Sequence, residues 1–256
     1  GPRSHMTLLT RRSFVAGTTS LALAAMLARR ADGGGPGTAD HPFALGVASG
    51  DPSPDGVVLW TRLAPRLREP GGGMPASPVE VVWEVAEDEA MTRLLQRGHA
   101  RADPAWAHSV HVEVQGLRPD RWYWYRFRAG GEASPVGRTR TLPATGRAVD
   151  RMRFAFASCQ KYEVGHYTAY EHLVREDLDL VVHLGDYIYE KDDGGKGVRK
   201  HGLTECFTLD DYRARYAVYK ADPALQAAHA LAPWIMTWDD HEVSNDYAGQ
   251  IHEEPD

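Results

Sequence analysis

Between Phe43 and about residue 142 the chain alternates apolar and polar positions in short runs, each closed by a cluster of Gly, Pro, Asp or Ser. FALGVASGD, VVLWTRLAP, VEVVWEVAED, HSVHVEVQGL, RWYWYRFRAG and RTRTLP read as strands, with PSPDG and EPGGGMPASP as turns between them. Strands of this length at this spacing, without a convincing long helix, predict a β-sandwich. Within RWYWYRFR, Trp122, Trp124 and Arg126 share one face while Tyr123, Tyr125 and Phe127 share the other. Aromatic residues on both faces predict that both are covered; packing is the expected use, and a carbohydrate-binding stripe the alternative.

Near residue 148 the pattern changes. RFAFASC is followed by a helix-like HYTAYEHLVRED, then LDLVVHLGDYIYE, then LDDYRARYAVYKADPALQAAHALA and PWIMTWDDHEVSND. Strand, helix, strand, helices, strand is the grammar of a mainly parallel sheet with helices on its faces. A sandwich domain over residues 43–147 and an α/β domain over 148–256 follow from this shift.

The N-terminus adds targeting information. Residues 1–6, GPRSHM, read as the remnant of an expression tag. Residues 7–31 carry Arg11 and Arg12 ahead of Phe14 and an apolar run of small residues too short to span a bilayer comfortably. The pattern resembles a twin-arginine export signal cleaved between Ala25 and Ala31. It predicts a secreted, extracellular protein with no transmembrane segment in its mature form, while an amphipathic helix is the plainer reading. Residues 32–42 are a Gly-rich linker.

Residues 1–31 hold five arginines and no acid, so the remainder carries 24 basic against 35 acidic residues, a net of −11 against −6 for the whole chain. Bulk charge of that sign excludes a nucleic-acid backbone as the expected partner. Two cysteines, Cys159 and Cys206, allow one disulfide at most, and their unlike surroundings argue against it. Cys206 reads as a small buried side chain just ahead of a helix capped by Thr208 or Asp210.

In open parallel sheets, ligands collect beyond the carboxyl ends of the strands. Here all three predicted strands finish in potential metal ligands: Cys159; then Asp186 and Tyr189; then Asp239, Asp240, His241, Glu242 and Asn245. One such Asp would be read as a turn or cap residue. Three strands ending alike predict a shared metal site. His183 is expected as a core residue, Asp192 and Asp193 as solvated loop acids, and His241 either as a contact to substrate phosphate or as a brace for a ligand.

FALGVASGDPSPDGVVLWTRLAP, FAFASCQ, LVVHLGDYIYE and WDDHEVSNDYA, in this order, resemble the PhoD-type alkaline phosphatases. That branch of the metallophosphoesterases includes secreted phospholipase D enzymes of actinobacteria. GLRPDRWYWY separately resembles the fibronectin type III strand L-x-P-x-T-x-Y-x-Y, through Leu117, Pro119, Tyr123 and Tyr125. The family departs from other metallophosphoesterases at its first strand, where Asp-x-His becomes Ser158-Cys159-Gln160. The resemblance implies ferric iron (Fe3+) held by Cys159, Asp186 and Tyr189, with Asp186 bridging to one or more calcium ions (Ca2+). An anionic thiolate, carboxylate and phenolate set suits trivalent iron. Calcium takes roughly six to eight oxygen ligands, and Asp186, Asp239 or Asp240, and Asn245 offer oxygens.

The expected activity is hydrolysis of a phosphate ester, mono- or diester, by metal-activated hydroxide, with Asp186, Asp240, His241 and Asn245 at the reacting centre. Absence of a Gly-x-Ser-x-Gly elbow, a P-loop and a dinucleotide fingerprint agrees with this. Phospholipase D action on phospholipid head groups is the nearest alternative, and a non-catalytic binding fragment the alternative of another class. The family carries further ligands, including an Asp-x-His, downstream of WDDHEVSND, so a C-terminal remainder of the same enzyme is an expected partner.

Overall fold

The computed structural model of the chain describes residues 40–249 and 251. The tag remnant, the export signal and all but the last residues of the linker lie outside them. Eleven strands and three α-helices follow in the order β1 (Val47–Gly50), β2 (Val57–Arg62), β3 (Val79–Ala86), β4 (Leu94–Ala102), β5 (Ser109–Val114), β6 (Trp122–Ala129), β7 (Glu132–Ala133), β8 (Gly137–Arg140), β9 (Phe154–Ala157), α1 (Thr168–Leu173), β10 (Leu180–His183), α2 (Leu209–Lys220), α3 (Pro223–Leu231) and β11 (Trp234–Met236). The described chain is thus mostly β-sheet with few helices. None of those helices is long and apolar enough to cross a membrane.

One sheet has the order β4-β3-β6-β7, with β8 also paired to β6; every pair in it is antiparallel. Its inner face carries Val81, Val85, Tyr123, Tyr125 and Phe127, which share one core with Val57, Leu59, Val110, Val112 and Val114 of β2 and β5. Tyr125 and Phe127 meet edge to face at 6.3 Å. The alternation expected of β6 is present, but only one of its faces is covered: Tyr123, Tyr125 and Phe127 are buried, while Trp122, Trp124 and Arg126 are half-buried on an outer face that no further layer of the described residues covers. β4 was not anticipated from the hydrophobic pattern. Its inward residues are small, and at Gly98 the Trp83 ring leaves no room for a side chain, since a Cβ would come within 2.4 Å of it.

The second sheet runs β5-β2-β1-β11-β10-β9. β5, β2 and β1 are antiparallel neighbours, whereas β1, β11, β10 and β9 are parallel. The sheet therefore crosses the change of sequence style near residue 148 without a break. One face of β10 and β11 packs on α1, α2 and α3 through Val181, Trp234, Tyr170, Tyr219 and Leu225. On the opposite face Phe154, Phe156 and Ile235 are exposed.

Helix ends follow local chemistry. Thr208 caps α2 in a reciprocal box with Asp211. Asp222 accepts from the N–H groups of Ala224 and Leu225 at the start of α3, with Pro223 in its first turn. The helix expected over 166–177 is confined to Thr168–Leu173.

Candidate metal centre

Because β9, β10 and β11 are parallel, their carboxyl ends open on the same side of the sheet and bring three loops together. The β9 loop is held by Gln160. Its backbone N–H donates to the Asp186 carbonyl at 3.1 Å, its Nε2 donates to the Tyr187 carbonyl at 2.9 Å, and its Oε1 accepts from the Tyr170 hydroxyl at 2.5 Å. Cys159 N–H reaches the Gly185 carbonyl at 3.1 Å. This stitching sets Cys159 beside the Asp186 loop. Both residues sit in the left-handed region, Cys159 at φ 55° and Asp186 at φ 54°. Non-glycine residues are uncommon there and concentrate at functional sites.

Gly185 makes the crossing of the β10 and β11 loops possible. Its φ is +106°, and a Cβ would lie 2.6 Å from both the Cβ and the backbone nitrogen of Asp239. Glu242 then clamps the crossing. Its Oε1 accepts from Tyr187 N–H at 2.5 Å, and its Oε2 accepts from Asp186 N–H at 3.1 Å and Asp239 N–H at 2.8 Å.

Asp186, Asp240 and His241 each present one ligand atom, and the three atoms lie within 4.8 Å of one another. Asp186 is buried. Its Oδ2 accepts from the Tyr189 hydroxyl at 2.9 Å, and among the described residues its Oδ1 has no hydrogen-bond partner. A buried carboxylate oxygen without a donor demands a cation or a water. Burial, then the Asp186 carboxylate, then Cys159 hold the Tyr189 phenol protonated well above its ordinary range. A cation among these anionic donors would reverse that balance.

His241 Nδ1 lies 2.7 Å from Glu190 Oε2, and its ring lies 4.1 Å from that of Tyr189. Glu190 is buried, and its other oxygen accepts from Asn245 N–H at 2.8 Å. Burial raises the Glu190 pKa, but the bonds from Asn245 and His241 outweigh it, so the group stays ionised below the ordinary carboxylate range. With Nδ1–H donated to a carboxylate, Nε2 is the lone-pair nitrogen, the arrangement common to metal-binding histidines. Asp240 Oδ2 accepts from Asp246 N–H at 2.6 Å. That bond is the leading reason its carboxylate is depressed.

Of the two adjacent acids expected as alternatives, the structure brings Asp240 into the cluster and leaves Asp239 exposed, its N–H held by Glu242. Cys159 is exposed and lies outside the 4.8 Å set, on the Tyr189 side. Asn245 is half-buried, and its side-chain nitrogen donates to Asp246 Oδ2 at 3.1 Å. His183 is fully buried between Tyr187 and Trp234. Asp193 pairs with Lys161 at 3.0 Å and Asp192 accepts from Gly194 N–H at 2.9 Å, away from the cluster. Both cysteines are free, and Cys206 is buried. Gln160 and Glu190 are the structural members that sequence reasoning did not single out. Their only signal was a polar residue embedded in a recognisable motif.

The donor set, with its unpartnered Asp186 Oδ1 and its carboxylate-braced His241, fits a bound cation. Residues 28–143 match the family description "PhoD-like phosphatase, N-terminal domain", and residues 154–256 match "PhoD-like phosphatase". Alkaline phosphatase D of Bacillus subtilis (strain 168) is 56% identical over 223 residues, covering 85% of this chain and 38% of that protein. A solved structure titled "Structure of PhoD" shares 56% identity with a TM-score of 0.82, covering 87% of this chain and 43% of its own. The chain therefore spans less than half the length of either relative. Two matched segments that together take in both the antiparallel-sheet half and the half that carries the candidate site show that this chain belongs to the PhoD-like phosphatase family.

Proposed function

We propose that this chain carries the N-terminal portion and part of the metal centre of a metal-dependent phosphate ester hydrolase acting on mono- or diesters. The carrying observation is the convergence of Asp186, Asp240 and His241 within 4.8 Å around a buried, unpartnered carboxylate oxygen. In this reading Cys159, Asp186 and Tyr189 hold ferric iron, and Asp186, Asp240 and Asn245 supply oxygens to calcium. When bound, such ions supply positive charge to phosphate oxygens and acidify a water. His241, its Nδ1 fixed by Glu190, presents an Nε2 lone pair that can join the bound cation or accept a hydrogen bond at the reacting centre. Glu242 and Gln160 keep the loops in register. The two packed sheets of residues 43–140 form a sandwich of the fibronectin III kind, and β9 to β11 begin the metallophosphoesterase layer. Arg11 and Arg12 direct export by the twin-arginine route.

The test is spectroscopic and catalytic together. Ferric iron added to the protein should produce a visible phenolate and thiolate charge-transfer band that Tyr189→Phe removes and Cys159→Ser weakens. Hydrolysis of a phosphomonoester or phosphodiester by the full-length enzyme should fall at least a hundredfold in Asp186→Asn. A colourless protein that binds only zinc, or an active Asp186→Asn enzyme, would overturn the assignment.

A further inference from the structure

The outer face of the antiparallel sheet is charged in one sense. Strand alternation places Arg97, His99 and Arg101 of β4, Glu80 and Glu84 of β3, Arg126 and Arg128 of β6, and Arg138 and Arg140 of β8 on this face. That is six arginines against two glutamates, on a chain whose net charge is −6. The two β8 arginines are engaged at the seam with the rest of the fold. Arg138 stacks on Trp122 at 3.9 Å and donates to the Leu231 carbonyl, and Arg140 pairs with Asp120 and Asp179.

The other four are arranged differently. Glu84 is nearly fully buried, with 5% of its side chain exposed, and three guanidinium groups converge on it. Arg126 Nε lies 2.6 Å from the carboxylate, Arg128 Nε 3.4 Å and Arg97 Nε 3.7 Å. Each arginine approaches through Nε, and among the described residues no hydrogen bond engages the terminal Nη groups of the three. Arg97 and Arg128 are 58% and 40% exposed, so these forks face solvent. One carboxylate leaves two positive charges uncompensated. The buried acid also anchors the forks in place, which lowers the entropy lost when they grip an anion. Arg101 continues the row along the β4 edge, two residues or about 6.8 Å from His99; it is 71% exposed and its Nη2 pairs with Asp103 Oδ2 at 3.2 Å, a contact a polyanion would share or displace.

We propose that this face is a second binding site, independent of the metal centre, that docks a linear phosphate polymer. Guanidinium forks match phosphate oxygens bidentately. The face is an open sheet surface, so a single anion would find few contacts and several linked anions are needed for affinity. The apolar residues at its centre, Val82, Trp122 and Trp124, are half-buried, Trp122 beneath Arg138 and Arg140, and the exposed Leu94 and Leu95 stand at the far end of β4.

The experiment titrates the protein with inorganic polyphosphate at several salt concentrations. With four guanidinium groups engaged, the logarithm of affinity should fall against the logarithm of salt with a slope of about −3, using roughly 0.7 per contact. Arg97→Gln with Arg128→Gln should lower affinity at least tenfold and reduce the slope to about −1.4, with an unchanged circular dichroism spectrum. Should the double variant fold poorly, Arg97→Gln alone, at the most exposed member of the triad, should still lower affinity about threefold. Asp186→Asn should bind polyphosphate as the parent does, which separates this site from the metal centre and leaves the proposal standing whether or not the hydrolase reading survives. Equal affinity of the arginine variants and the parent, equal binding of polyglutamate, binding lost in Asp186→Asn, or binding to anionic phosphatidylglycerol vesicles without binding to polyphosphate would each overturn it.

Discussion

Replacing Glu242 tests whether the alignment of the candidate metal centre rests on one carboxylate. Glu242 accepts three backbone N–H groups from two loops, at 2.5, 2.8 and 3.1 Å. A hydrogen bond to a charged group contributes about 1.5–3 kcal/mol, so three left dry would cost about 5–9 kcal/mol. The residue is half-buried, however, and water can rejoin the freed donors. Glu242→Ala should therefore cost about 2–4 kcal/mol. For an ordered unit of this size, 1 kcal/mol shifts the melting temperature by about 2–4 °C, which gives a fall of about 5–15 °C by circular dichroism. Glu242→Gln keeps one acceptor oxygen but turns an amide nitrogen toward a donor, and should lose about half as much. Glu176→Ala, an exposed acid on the surface, is the control and should melt within about 1 °C of the parent. Equal melting of Glu242→Ala and Glu176→Ala would show that the loop crossing is held by something other than this clamp.

Gly185→Ala must place a Cβ 2.6 Å from Asp239 at a φ of +106°, and should lower stability by more than about 2 kcal/mol, read as the urea midpoint; an unchanged midpoint would refute the crossing geometry. His183 is held neutral by burial, with its pKa lowered to about 4 despite the opposing pull of Asp186. The unfolded chain then binds the extra proton first, so stability is full above about pH 6.5 and falls as the pH drops toward 4, by at most about 1.4 kcal/mol per pH unit. Urea midpoints at about pH 7 and about pH 5 should converge in His183→Phe relative to the parent, and parallel shifts in both proteins would reject the assignment.

The elements legible in the sequence were those whose pattern and packing agree. β9, β10 and β11 stood out as apolar runs bounded by polar clusters, and β6 by its aromatic alternation. β4 did not, because LLQRGHARA has the composition of a solvated helix or loop. Of its small inward residues, Gly98, Ala100 and Ala102, the glycine is required because the Trp83 ring on the neighbouring strand occupies the space of its side chain. That fact belongs to the partner strand and cannot be read from the segment itself. The site divides in the same way. Cys159, Asp186, Tyr189, Asp240 and His241 carried motif information, whereas Gln160 and Glu190 act through partners 27 and 51–55 positions away. In sequence, a bracing carboxylate and a surface one are the same letter.

The continuity of the second sheet links these two kinds of information. Gly50 of β1 pairs with Trp234 at the start of β11, and Asp51 N–H donates to the Trp234 carbonyl at 3.1 Å. A Cβ at position 50 would lie 2.8 Å from that same oxygen, so the approach of the strands requires glycine. β11 leads directly into Asp239–Asn245, and its other neighbour is β10, which leads into Asp186. The strand that delivers Asp240 and His241 is thus set on one side by β10 and on the other by β1, whose remaining partner is the antiparallel β2. Further ties run the same way: Arg62 Nη1 donates to the Arg213 carbonyl at 2.9 Å and Gln226 Nε2 to the Ala44 carbonyl at 2.8 Å. A shift of β1 along β11 by one residue would invert its inward and outward side chains and expose Val47. Register in the N-terminal half is therefore fixed by its own core, and through β1 that core fixes where the loop carrying Asp240 and His241 begins.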